Sequence, residues 1–140
     1  MPTATTELFP WAPAYSVGIE LIDQQHKNLV TIVNELHQLM ATGTARSQLG
    51  KVLAKLIKYT QNHFQTEENL MRTHQYPQYA AHKAEHDHLT QTVLDFQGKF
   101  QRNEIGLTIE VMDFLKDWLA KHILGADKAY GPFLHAQGLR

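Results

Sequence analysis

The sequence predicts an all-α fold: an up-down-up-down four-helix bundle with an extended N-terminal arm. Three observations predict it. Four stretches repeat apolar positions at alternating steps of three and four, which draws one stripe along each of four helices. The connections between the stretches are short, as antiparallel neighbours require. Polar residues interrupt the stripes early in the first and third stretches and late in the second and fourth, so antiparallel packing brings them to one level.

Residues 1–18 hold Pro2, Pro10, Pro13 and Gly18 among the aromatics Phe9, Trp11 and Tyr15. That composition opposes a long helix but can pack as an arm lying across the domain. The first helix, about 19–41, carries Ile22, His26, Leu29, Val33, Leu36 and Met40 on its stripe and ends at Gly43. Ser47 is the expected N-cap of the second, about 47–73, where Leu49, Leu53, Leu56, Thr60, His63, Glu67 and Leu70 continue the rhythm. The third, about 79–101, reverses the order: His82 and His86 lead, and Leu89, Val93, Phe96 and Phe100 follow. The fourth, about 107–130, sets Thr108, Val111, Leu115, Trp118 and His122 in register. Gly131 and Pro132 are expected to stop it, leaving 131–140 as a short tail.

At 140 residues and 43% hydrophobic content the chain suits a single domain, 1–140, with its own core. It has no internal repeat or low-complexity segment. A formal charge of -1 gives no basic excess for nucleic acid. The absence of cysteine excludes disulfides, iron–sulfur clusters, thiolate zinc sites and cysteine nucleophiles, so any metal must be held by nitrogen and oxygen. No secretory signal layout opens the chain and no apolar run would span a bilayer, which makes a soluble cytoplasmic protein the expectation. No second apolar stripe demands an oligomer, and a monomer is expected.

The chemistry concentrates in 63–86, HFQTEENLMRTHQYPQYAAHKAEH. His63 and Glu67, then His82 and His86, stand four apart, so each pair points two donors at one spot from a helix face. Pro77 breaks the chain between them and lets the two helices face each other. His26 and His122 join at the same level, giving a core-facing set of His26, His63, Glu67, His82, His86 and His122. An unpartnered buried imidazole costs on the order of 1 to 3 kcal/mol and a carboxylate more, so this layer calls for a shared cation. Imidazole with carboxylate suits zinc, iron, copper or manganese. The donors outnumber the four that a structural zinc takes, whereas two metals bridged by carboxylates use them all.

His37, His74, His88 and His135 lie off the stripe and read as solvent-facing, and Glu68 is turned toward a flank. Asp127, five residues after His122, falls about 140° around an ideal helix and by spacing reads as a surface acid. Two alternatives stay open: Gly125 loosens the last turn, or the Asp side chain reaches back. Ferritin-like di-metal carboxylate bundles use Glu-x-x-His on two helices with further glutamates on the others. This chain does not offer that set. Its imidazole-rich layer argues against a ferroxidase.

Gln25-His26, HFQTEE (63–68), HKAEH (82–86) and WLAKHILGAD (118–127) together resemble the hemerythrin family in its single-domain bacterial form, over nearly the whole chain. The resemblance implies two iron ions, one held by His82, His86 and His122 and the other by His26 and His63. Glu67 and Asp127 would bridge them, with an oxo or hydroxo group as third bridge. It further implies reversible dioxygen binding at the iron with fewer protein donors, for storage, transport or delivery to an oxygen-consuming enzyme. Leu29, Phe64, Trp118, Leu119 and Ile123, each within a turn of a ligand, match the family's apolar oxygen pocket. No residue is assigned a catalytic role, since every acid and base in the pocket is expected to be a ligand. The rival readings on this scaffold are a peroxidase-like or nitric-oxide-reducing enzyme and an oxygen or redox sensor.

Overall fold

The computed structural model describes residues 11–43, 45–104 and 109–139. Residues 1–10 of the expected arm, and Thr108 with the rest of 105–108, lie outside them. Helices α1 (Glu20–Ala41), α2 (Arg46–Thr73), α3 (Tyr79–Gln101) and α4 (Ile109–His122) form the bundle. A π-helical turn (Ile123–Asp127) and α5 (Lys128–Ala136) carry the fourth rod onward. Helix α1 packs on α2 and α4, and α2 on α3. Hydrogen bonds at one level join early α1 to late α2 (Gln25 to His63) and early α3 to late α4 (Glu85 to His122), so neighbours run antiparallel.

The main core takes one stripe from each helix: Leu29, Val33 and Leu36 meet Leu53 and Leu56, Val93 and Phe100, and Met112, Leu115 and Leu119. A second apolar cluster closes the other side of the polar level. It unites Val17 of the arm and Ile19 at the N-cap of α1 with Ile22, Met71, Tyr76, Tyr130 and Leu134. The polar residues of the stripes therefore occupy an internal layer between two dry regions.

Local signals were obeyed at some ends and overridden at others. Thr42 closes α1 and Gly43 follows at φ +70, a conformation that costs a residue without Cβ little. Ser47 is not the cap of α2. The helix starts one residue earlier at Arg46, with Ala45 at the cap and no side-chain capping bond. The Arg46 guanidinium hydrogen-bonds the Phe100 carbonyl and lies 3.9 Å over the Phe100 ring, which anchors the start of α2 to the end of α3.

Gly131 and Pro132 do not stop the fourth rod, and residues 131–136 of the expected tail are helical. Pro132 lies inside α5, one turn past the π segment, where its missing N–H removes a single intrahelical bond. Burial of Tyr130, Gly131 and Leu134 on α5 outweighs that loss. Gly131 is where the arm crosses closest: a Cβ there would sit 2.5 Å from the Val17 carbonyl oxygen.

Substituting Gly131→Ala should force the arm off α5 and, as overpacking, cost about 1 to 3 kcal/mol. Chemical denaturation monitored by circular dichroism should show the lowered midpoint.

Candidate metal centre

Each helix delivers donors to the internal layer: His26 from α1, His63 and Glu67 from α2, His82 and His86 from α3, His122 from α4. Asp127 arrives from the π turn. All seven are buried, the most exposed being His82 at 4%. The four-residue spacing on α2 and α3 stacks each pair on its helix face. Asp127 joins because the π turn accommodates an extra residue per turn and rotates position 127 back onto the face of His122. Of the two alternatives left open by the sequence, the loosened turn, with Gly125 inside it, is the one observed.

The donor atoms fall into two groups that share both carboxylates. One comprises Glu67, His82, His86, His122 and Asp127, the other His26, His63, Glu67 and Asp127, with each group's donor atoms lying within 4.8 Å of one another. Asp127 spans them: Oδ2 lies 2.8 Å from His26 Nε2, while Oδ1 lies 2.9 Å from His82 Nε2 and 3.0 Å from His122 Nε2. Glu67 Oε1 faces His63 Nε2 at 2.9 Å and His86 Nε2 at 3.5 Å. These separations are short, yet Nε2 of His26, His63 and His82, Glu67 Oε1 and both Asp127 oxygens have no hydrogen-bond partner. Their lone pairs converge on common points instead of on protons.

Ring tautomers support the same reading. His63 Nδ1–H donates to Gln25 Oε1 at 2.6 Å, His86 Nδ1–H to Glu68 Oε2 at 2.9 Å, and His122 Nδ1–H to Glu85 Oε1 at 2.8 Å. A neutral imidazole whose Nδ1 carries the proton presents a bare Nε2, the form that binds a metal. His86 and His122 bring Nε2 to Nε2 at 3.1 Å, which a cation beside both would stabilise. Orphaned buried acceptors, inward lone pairs and an all-nitrogen-and-oxygen donor set fit a pair of irons.

Without a cation, protons must supply the positive charge. Burial opposes a charged His122, but Asp127, Glu85 and Glu67 overcome it and hold the imidazole up at about 10. Burial likewise opposes ionisation of Asp127 and Glu67. The nearby imidazoles, foremost His122 for Asp127 and His63 for Glu67, still bring both below the ordinary carboxylate range.

An aromatic wall flanks the layer. Phe64 stacks on His86 at 3.8 Å between centroids, and Trp118 lies parallel to His122 at 6.1 Å. Leu29, Leu119 and Ile123 are buried beside them, and Trp118 is half-buried. Tyr130 stacks on His82 at 5.5 Å, and its hydroxyl donates to Glu67 Oε2. Burial, with the charges of Glu67 and Asp127, raises that phenol well above its ordinary value, so it stays a donor. A cavity of about 150 Å³ lined by Tyr76, Gln78, Ala81, His82, Glu85, Ala126 and Ala129 borders the layer at His82.

Sequence reasoning missed Glu85 and Tyr130 and set Glu68 aside. Glu68 and Glu85 act across helices, 18 and 37 residues from their imidazoles, where no spacing rule applies. Tyr130 stands one turn after Asp127, a signal the expected helix end concealed. His88 and His135 are exposed as read, while His37 and His74 are half-buried. The chain's one Glu-x-x-His spacing, Glu85 to His88, leaves His88 in solvent and supplies no inward pair.

The pattern of the hemerythrin HHE cation binding domain matches residues 17–134. Bacteriohemerythrin of Methylococcus capsulatus is 42% identical over 130 residues, 92% of this chain and 98% of that protein. Myohemerythrin of Sipunculus nudus is 30% identical over 122 residues, 87% of this chain and 90% of that one. A crystal structure of wild-type hemerythrin matches with TM-score 0.87 at 42% identity, covering 91% of this chain and 98% of that one.

The metal-free protein should be most stable between about pH 4.5 and 6.5. The His122 contribution is complete below the unfolded value of 6.5 and is lost as pH rises through about 10. The Glu67 contribution is complete above the unfolded 4.5 and is lost as pH falls through its lowered folded value. Denaturant midpoints of chelator-stripped protein across this range should trace the two flanks.

Proposed function

The chain belongs to the hemerythrin family, and on that premise we propose that it takes up and releases dioxygen reversibly at two irons bound in the internal layer. His82, His86 and His122 hold one ion, His26 and His63 hold the other, and Glu67 and Asp127 bridge them. One observation carries the reading: the two donor groups share both carboxylates but divide the imidazoles three to two. The ion with two imidazoles keeps room for a small ligand. When bound, the irons supply the electrons that dioxygen borrows and gives back.

The chain's own groups make that exchange reversible. Gln25, Glu68 and Glu85 fix the rings of His63, His86 and His122, so the donors need not reorganise as charge shifts. Tyr130 keeps its proton and anchors the outer oxygen of Glu67. Leu29, Phe64, Trp118, Leu119 and Ile123 keep water and reductants away from the layer. With every inward imidazole and carboxylate assigned to an ion, Tyr130 is the remaining acid, and its raised phenol makes a poor proton donor. That favours binding over turnover. Among the described residues no helix is long and apolar enough to cross a membrane. The exposed large apolar side chains described are Leu21, Leu94 and Phe114, which supports a monomer.

Admitting air to anaerobic, ferrous-loaded protein should give colour that fades on removing oxygen, with no reductant added. Protein left oxidised until reduced chemically would instead be an enzyme or scavenger. Leu119→Ala and Ile123→Ala should each shorten the lifetime of the oxygenated form, read as the decay of its visible band. An unchanged lifetime would remove these two side chains from the shielding wall.

A further inference from the structure

We propose that the two ion positions are unequal in a way set outside the donors themselves. Glu68 and Glu85 act as positioning residues that make the position of His82, His86 and His122 fill first and release its ion last. The inference rests on the paired-iron reading above and extends it to the order and permanence of loading.

The partners behind the imidazoles differ in charge from one position to the other. On the three-imidazole side, two rings donate Nδ1–H to carboxylates, His86 to Glu68 and His122 to Glu85. On the two-imidazole side, His63 donates to the neutral amide of Gln25, and buried His26 Nδ1 has no hydrogen-bond partner. A hydrogen bond to an ionised acceptor is about twice as strong as a neutral one. It draws the Nδ1 proton outward and enriches Nε2, strengthening its bond to a cation. Two additional negative charges thus stand one ring away from the first position and none stands correspondingly behind the second.

The two carboxylates are not equivalent. The Glu68 side chain is 12% exposed and that of Glu85 46%, so solvent screens Glu85 more and Glu68 should exert the larger effect. Glu85 also lines, with Gln78 and His82, a cavity that borders the three-imidazole side. The exchangeable ion is the one with the open place for dioxygen.

The test is a titration of chelator-stripped, anaerobic protein with cobalt(II) alone, followed by calorimetry and the cobalt visible bands. Two resolved steps are expected. Glu68→Gln keeps an acceptor for His86 but removes the charge, and should weaken the first step at least 10-fold while leaving the second nearly unmoved, within the range seen for such partners. Glu85→Gln should act in the same direction with smaller size. Gln25→Glu places a charge behind His63 and should tighten the second step, narrowing the gap, a gain that loss of packing cannot produce. Circular dichroism and melting of each stripped variant confirm that it folds. Indistinguishable steps in the unaltered protein, or equal weakening of both by Glu68→Gln, would overturn the proposal. Uptake of a single cobalt at saturation would instead overturn the paired-iron reading beneath it.

Discussion

Five imidazoles and two carboxylates share one layer of this bundle with apolar clusters above and below them. At roughly 1 to 3 kcal/mol for each buried group lacking a partner, the layer would cost on the order of 10 kcal/mol, comparable to the whole stability of a domain this size. Bound metal contributes on a similar scale, and does so only when the donors are already gathered. The rest of the structure follows from satisfying that layer. Four helices are needed to bring donors from every side, and the cores on either face keep water from competing for them.

This sandwich also explains why the chain does not end where the bundle does. The arm and α5 supply Val17, Tyr130 and Leu134 to the far wall of the layer. Were they absent, His26 and His82 would face water, and the low dielectric that sharpens every charge interaction at the site would be lost. Gly131 lets backbone lie on backbone where the two segments cross. The Ser16 and Val17 contacts with Asp23 hold the arm at the head of α1, with Ser16 Oγ 2.5 Å and Val17 N 2.8 Å from the carboxylate.

Much of this was legible in the residues alone. The four stripes, the alternation of early and late polar positions, and the His63/Glu67 and His82/His86 pairs are local periodic signals, and the helix obeys them. What escaped depended on geometry between segments. Asp127 was out of phase under the ideal α repeat, and only the resemblance brought it to the site. Pro132 reads as a stop when weighed alone, but the apolar face of α5 overrules it. Glu68 and Glu85 are indistinguishable from solvated acids until the neighbouring helix is in place, because their partners lie on other rods.

The widened turn at 123–127 has a reach beyond the one carboxylate it delivers. Absorbing an extra residue in one turn sets everything downstream back by about 100° relative to a regular helix. Asp127, Tyr130 and Leu134 all owe their inward direction to that single offset. Winding the same residues as a regular α-helix would swing the Asp127 carboxylate, the Tyr130 phenol and the closing Leu134 outward together. The segment works as a phase shifter, keeping a less favourable local backbone so that two successive lengths of one rod present the same side to the internal layer.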